Sequence, residues 1–366
     1  ICGNVGSGTV REMAQWLEYI TMPGRSPMAD LRRRHGRAEP WPLTYWAIGN
    51  ENWGCGGSMR AEYYADEYRR YATFCRHLGG GRLYKVACGQ NDDWNEVLMR
   101  QAGRFMDGLS IHYYTVPGPW QNKGSATRFG PDEWILTLKR AAGVDGFLRR
   151  TRVIMDRHDP DKRVGMVLDE WGTWYDVEPG TNPGFLFQQN TLRDALVAGL
   201  SLNIFHSHAD RLHMANIAQT VNVLQAMVLT EGAKMVLTPT YHVFEMYKVH
   251  QDAILLPTHL ECIDYAAGRE SMPQLSASAS RDAAGRVHLS LCNAHHEQAA
   301  ELLCDLRGVT TEHVTGRILT APAITAHNTF DEPDAVRPAP FTGCTHKGTS
   351  IHTTLPPHSV VVLEVG

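Results

Sequence analysis

The chain has 366 residues, 20% of them charged and 43% hydrophobic, with a formal net charge of −4, the proportions of a globular protein of one large or two smaller domains. That charge offers no attraction to nucleic acid or to an anionic bilayer, and no apolar run approaches the roughly 18 residues of a membrane-spanning helix. The eight cysteines are scattered without a CxxC pair, which removes the zinc knuckle and the redox motif and leaves free thiols as the expectation.

Taken in chain order, Thr9 and Glu12 form a capping-box pattern that leads into Met13, Trp16, Leu17 and Ile20. Residues 43–48 read as a buried strand. Ser58 is the expected cap of a helix carrying Ala61, Tyr64, Tyr68, Tyr71 and Phe74, and 85–88 is the next strand. Asp92 or Asp93 opens a short helix with Val97 and Leu98, residues 109–111 form a strand, and Pro131 begins a helix with Trp134, Ile135 and Leu138. Residues 164–168 and 200–205 are two further strand expectations. The Met and Tyr stripes of 59–74 and 214–227 read as core-facing helix surfaces. Strands alternating with helices predict a parallel α/β fold. After about residue 250 the texture changes to short alternating runs at 287–291, 316–319, 350–353 and 360–363, with a loop at 331–340. This predicts an antiparallel β-sandwich over 251–366, following the α/β domain over 1–250.

Titratable groups gather just after the apolar runs. Ile48 is followed by Gly49-Asn50-Glu51-Asn52-Trp53, Ile111 by His112-Tyr113-Tyr114, Leu168 by Asp169-Glu170-Trp171-Gly172, and Phe205 by His206-Ser207-His208. In a β/α barrel these strand ends form one rim on which a pocket is built. Glu51 and Glu170 are the two carboxylates that stand out, and glycoside cleavage needs two: one to protonate the leaving oxygen, one to attack the anomeric carbon. The acid must carry a proton at working pH, so its pKa is expected to be raised. Asn50 can bond a sugar 2-hydroxyl. His112 and Tyr114 share one side of a strand, from which Tyr114 can hold the nucleophile's oxygen. Nine Trp and thirteen Tyr, several beside these carboxylates, supply flat faces with polar tips that suit sugar rings.

Plainer readings apply elsewhere. Asp169 precedes Glu170 on its strand and is expected to face away from the pocket. His206 and His208 share a face, and with His213 they form the one candidate metal set. Lacking a third ligand nearby on a helix or strand, they predict no metal, and no cofactor is expected. Gly54-Cys55-Gly56-Gly57 lacks the Lys-Ser/Thr of a phosphate loop and reads as a tight turn.

The segments 45–57 and 169–175 resemble the acid/base and nucleophile segments of the α-L-arabinofuranosidases of glycoside hydrolase family 51. The resemblance runs from Gly3-Asn4-Val5-Gly6 to about Asp252, through 178–184 and 214–219. It implies a (β/α)8 TIM barrel with a C-terminal sandwich, a retaining double displacement, and an arabinose-containing oligo- or polysaccharide as substrate. By carry-over Glu51 is the acid/base, Glu170 the nucleophile and Asn50 the binder of the 2-hydroxyl. Tyr114 and His112 would support the nucleophile, and Trp53, Trp120, Trp171 and Trp174 would face the sugar. Against the family, residues 1–4 look like the end of the third barrel strand. The expectation is therefore that the first two strands lie outside this chain, in another polypeptide piece or a longer protein. A sugar-binding Gln of some relatives has no counterpart in 234–241. The resemblance also implies a homo-oligomer, with the cytoplasm slightly favoured as location. The rival expectations are a β-xylosidase or endo-glucanase on the same barrel, and a carbohydrate-binding protein without activity.

Overall fold

Six short runs of β-branched, aromatic and small residues form the strands of one sheet, ordered as they occur in the chain. They are β1 (Cys2–Gly3), β2 (Tyr45–Ile48), β3 (Tyr84–Cys88), β4 (Gly108–Thr115), β5 (Gly165–Thr173) and β6 (Leu212–Ile217). β1 to β4 pair in parallel, with Cys2 opposite Ala47, Trp46 opposite Lys85, and Val86 opposite Gly108. The structure is a computed structural model that describes residues 1–309 and 312–366. Six helices fall between these strands: α1 (Val10–Thr21), α2 (Pro27–Arg34), α3 (Ala61–Phe74), α4 (Asp92–Ala102), α5 (Pro131–Ala142) and α6 (Val144–His158). A seventh, α7 (Leu192–Ser207), links β5 to β6. This is the half-barrel sheet of the expected α/β architecture.

The chain divides into two compact units. One comprises Ile1–His112, Gly146–Asp169 and Asp210–Ala215, the other Tyr113–Asp145, Glu170–Ala209 and Asn216–Gly366. In the first, Trp46, Ile48, Val86, Ala87, Leu109, Ile111 and Leu168 are buried, the both-faces burial of a parallel sheet. Tyr64 ties two strands together: its hydroxyl donates to the Ile48 carbonyl (2.5 Å) and accepts from the Cys88 N–H (2.8 Å). The Thr9–Glu12 capping box forms as expected. Two other helix starts differ. The N-cap of α3 is Arg60, while Ser58 adopts φ +50° and bonds back to Gly54. Asn91 caps α4, leaving Asp92 and Asp93 in its first turn, where their charge favours the helix N-terminus.

The second unit corrects two sequence expectations. Residues 200–205 belong to α7, not to a strand. The helix starts at a capping box of Thr191 and Asp194, and Leu192 through Leu200 are all buried. An apolar run without a polar face reads the same as strand or buried helix, and the strand at this point of the chain is β6. The 214–227 stripe is likewise no helix: it covers the end of β6 and an irregular segment. There follow the hairpin β7 (Val228–Glu231) and β8 (Lys234–Leu237) and then α8 (Pro239–Tyr247).

From Ile254 onward the strands are antiparallel. They are β9 (Ile254–Leu256), β10 (Asp264–Ala267), β11 (Glu270–Pro273), β12 (Leu275–Arg281), β13 (Val287–Asn293), β14 (Ala300–Asp305), β15 (Val314–Leu319), β16 (Ala339–Pro340), β17 (Cys344–Lys347), β18 (Ser350–Leu355) and β19 (Ser359–Val365). One sheet runs β16-β15-β19-β13-β12-β9, a second β14-β18-β17, and the four alternating runs fall on β13, β15, β18 and β19. Leu289, Leu291, Ile318, Ile351, Leu355, Val361 and Leu363 make the apolar core of this sandwich. The helices meet this sheet through polar contacts: His206 of α7 bonds Ser278 of β12 (2.8 Å), and His250, just after α8, bonds Ser280 of β12 (2.7 Å) and Ser290 of β13 (2.5 Å). Burial pushes the His206 imidazole down to about 4 and that of His250 to about 3. Among the described residues no helix is long and apolar enough to cross a membrane.

Candidate active site

The segment after β2 is a turn that only glycine can make at two of its positions. Gly49 has φ +87°, and a Cβ there would collide with Asn52 Oδ1; at Gly56 it would collide with the Asn50 carbonyl. Within this turn Glu51 itself takes φ +46°, a costly conformation for a non-glycine residue and one that recurs at functional sites. The turn compensates by closing on Glu51: the N–H groups of Gly54 (2.8 Å) and Gly56 (2.9 Å) both donate to its carbonyl. Asn52, fully buried, donates to the Gly56 carbonyl at 2.7 Å. Trp53, expected to face sugar, is half-buried and uses its indole N–H to bond the Gly89 carbonyl at 3.2 Å, so it anchors the turn to the end of β3. Asn50 is exposed.

The Glu51 carboxylate is held at both oxygens. His112 Nδ1 lies 3.1 Å from Oε1, and Cys55 Sγ lies 3.2 Å from Oε2. The hydrogen bond from His112 is the main cause that lowers the Glu51 pKa below the ordinary carboxylate value; burial opposes it, and Cys55 adds to the lowering. The expected rise is therefore not found in the free site, because two donors stabilise the charged form more than desolvation penalises it. His112, expected beside the nucleophile, bonds Glu51. Its Nε2 lies 3.4 Å from Asp169 Oδ1, which in turn accepts from Ser110 Oγ at 2.5 Å. Asp169 was expected to face away; it reaches the same row of β4 side chains, Ser110 and His112, and is a member of the site that alternation along the strand misses.

Two residues farther along β4, the Tyr114 hydroxyl donates to Glu170 Oε2 at 2.7 Å, as the spacing predicts. Tyr114 meets Trp174 edge-on with ring centroids 4.9 Å apart, Trp174 meets Trp120 at 5.0 Å, and Lys123 lies over Trp120 at 4.8 Å. Trp120 is 56% exposed, so this aromatic ladder runs from the carboxylate out to solvent. Trp171 is a correction. It is 2% exposed and packs between Phe205 (5.0 Å) and Phe244 (5.9 Å), which makes it core. Behind the end of β5 lies a buried polar network that sequence reading does not find. Gln225 Oε1 accepts the Thr173 N–H (2.7 Å), and Asp194 accepts the hydroxyls of Thr173 (2.5 Å) and Tyr175 (3.1 Å). The Arg193 guanidinium lies over Phe129 (3.6 Å) and Tyr175 (4.2 Å). Burial raises the Asp194 pKa.

The three histidines of the metal reading go to three partners. His206 bonds Ser278, His208 bonds Asp145 (2.8 Å) at the C-terminus of α7, and His213 bonds Tyr84 (3.2 Å). They do not form one ligand set.

The chain is similar over its length to proteins of one family. A family model described as the α-L-arabinofuranosidase C-terminal domain matches residues 169–359, and one described as the α-L-arabinofuranosidase 1 domain matches 6–78. An intracellular exo-α-L-arabinofuranosidase of Bacteroides ovatus is 51% identical over 369 residues, covering 100% of this chain and 72% of that protein. A probable α-L-arabinofuranosidase C of Aspergillus flavus is 29% identical over 352 residues, covering 89% of this chain and 67% of its own. Among solved structures, the family GH51 arabinofuranosidase of Xanthomonas axonopodis pv. citri superposes with a TM-score of 0.98 at 49% identity, over 100% of this chain and 75% of that one. An α-L-arabinofuranosidase of Thermotoga maritima in complex with arabinose gives 0.84 at 27% identity, with the same two coverages.

Proposed function

The chain belongs to the α-L-arabinofuranosidases of glycoside hydrolase family 51, and from that premise we propose that it removes terminal α-L-arabinofuranosyl residues from arabinan, arabinoxylan or their oligosaccharides with retention of configuration. The observation that carries the reading is the pairing of each candidate carboxylate with its own donors, Glu51 with His112 and Cys55, Glu170 with Tyr114.

Glu170 is the nucleophile in this reading. Tyr114 occupies one lone pair of Oε2 and orients the carboxylate for attack on the anomeric carbon. Glu51 gives its proton to the glycosidic oxygen as that bond breaks, then as a base takes a proton from the water that releases the sugar. In the free enzyme Glu51 is biased toward its anion. A bound sugar that excludes water raises the cost of that charge; once the proton has left, the bonds from His112 and Cys55 again favour the base. Asn50, exposed beside Glu51, bonds the 2-hydroxyl. The ladder Tyr114–Trp174–Trp120 offers apolar faces to the sugar and to the portion beyond the scissile bond.

The catalytic part is taken as residues 1–250 and the sandwich as 251–366. The enzyme is proposed to act in the cytoplasm, in line with the intracellular relative from Bacteroides ovatus, and to do so as a homo-oligomer. Proton NMR during hydrolysis of 4-nitrophenyl α-L-arabinofuranoside tests the central claim: α-arabinose is expected to form first. Initial β-arabinose, or release of other aryl glycosides in preference, would refute it.

A further inference from the structure

The thiol of Cys55 lies beside the Glu51 carboxylate. It is exposed, unlike the buried Cys75, Cys88 and Cys292, and the turn aims it. The bonds from the Gly54 and Gly56 N–H groups to the Glu51 carbonyl fold residue 55 back over the Glu51 side chain, which brings Sγ to 3.2 Å from Oε2. The other oxygen is already committed: His112 Nδ1 holds Oε1 at 3.1 Å and is itself backed by Asp169 and Ser110. A proton on Glu51 therefore sits on Oε2, the oxygen beside the thiol.

We propose that Cys55 is a positioning residue for the acid/base, keeping Oε2 as the proton-carrying oxygen and stabilising the carboxylate once that proton has left. The inference rests on the assignment of Glu51 as acid/base made above. In the first step the Oε2–H bond breaks and the proton passes to the glycosidic oxygen, while the bond from that oxygen to the anomeric carbon breaks and a Glu170 oxygen bonds the carbon. The S–H of Cys55 then donates to the bare Oε2. In the second step Oε2 takes a proton from water as the water oxygen bonds the anomeric carbon and the ester to Glu170 breaks. The thiol keeps its own proton throughout. A thiol is a weak donor, so its effect is a tuning one, and a serine hydroxyl can replace it where a methyl cannot. Among the described residues of its own compact unit, the groups that bear on the Glu51 charge are Cys55 from the turn and His112 from β4, with Asp169 of β5 behind it; only Cys55 changes in the variants below.

The test is the pH profile of kcat/KM for the full chain acting on an alkyl arabinofuranoside or an arabinobiose, substrates whose departure needs a proton. The basic limb of that profile reports the acid in the free enzyme. Cys55→Ala is expected to move this limb up by about half a pH unit, and Cys55→Ser to bring it back toward the wild-type position. A limb that stays put in Cys55→Ala overturns the proposal. So does a limb that moves equally in the Ala and Ser variants, which assigns the shift to lost packing. Glu51→Ala run in parallel separates the two layers: equal losses on good and poor leaving groups would bring down the acid/base reading itself, and the role of Cys55 with it.

Discussion

The hydroxyl of Tyr114 and the carboxylate of Glu170 are 2.7 Å apart, a charge-assisted hydrogen bond between two adjacent strands of the sheet. Its removal takes one charge-assisted donor from Oε2 of the carboxylate. A hydrogen bond to a charged group contributes about 1.5–3 kcal/mol, so Tyr114→Phe is expected to lower kcat on an aryl arabinofuranoside by about 10- to 100-fold. An unchanged kcat would remove Tyr114 from the positioning of the nucleophile.

Glu51→Ala separates substrates by leaving group. General acid catalysis contributes about 10²- to 10⁴-fold. A loss of that size is expected on arabino-oligosaccharides, and a much smaller one in the first step on 4-nitrophenyl arabinofuranoside, whose leaving group needs no proton. Pre-steady-state release of 4-nitrophenol measures that step directly.

Glu170→Ala is expected to abolish turnover of the aryl substrate, and added azide to restore it with an inverted glycosyl azide as product. Azide attacks from the side that the nucleophile vacates. A rescued product of retained configuration would exchange the roles of the two glutamates.

Trp171 and Trp120 differ in environment, and their variants should differ in kind. Trp171→Ala is expected to cost about 3–5 kcal/mol of stability, as for other large buried aromatics. Trp120→Ala should leave the melting temperature near that of the wild type while raising KM for oligosaccharides. Thermal melts and kinetics on the same two samples check both halves.

The polar seam of His206 and His250 makes stability depend on pH. Free histidine titrates near 6.5, whereas these two are held down to about 4 and about 3 by burial. Below pH 6.5 the unfolded chain takes up protons that the folded one refuses. Stability is therefore complete above 6.5 and falls as pH drops toward 4, by up to about 1.4 kcal/mol per pH unit for each imidazole. Urea midpoints between pH 7 and 5 should show the decline, and His250→Gln should flatten it.

Much of this architecture is legible in the residues themselves. The apolar runs before Glu51, His112 and Glu170 mark β2, β4 and β5, although β4 and β5 continue past the apolar run to Thr115 and Thr173, and the two-residue spacing of His112 and Tyr114 puts them on one side of β4. Alternation also bears on Trp171, which follows Glu170 and turns into the core, although its aromatic character suggests a sugar platform. The same rule fails at Asp169, whose reach to Ser110 and His112 depends on how β5 lies beside β4, information that no single strand contains. Cys55 is hidden for a related reason: its approach to Glu51 is produced by backbone bonds inside the turn. At α7 the pattern is silent, because a helix buried on all sides has no polar face to set its period.

The turn around Glu51 also shapes how this enzyme can diversify. Side chains at Gly49 and Gly56 would collide with Asn52 and with the Asn50 carbonyl, so nearly every codon change at either glycine damages the proton donor. The stretch bearing Trp120 carries that ring exposed, while its backbone is tied down independently of the ring by Asp176 and Arg140. Descendants with new tastes in polysaccharide should therefore carry their changes there, and directed evolution that concentrates its libraries on that stretch will waste the fewest clones.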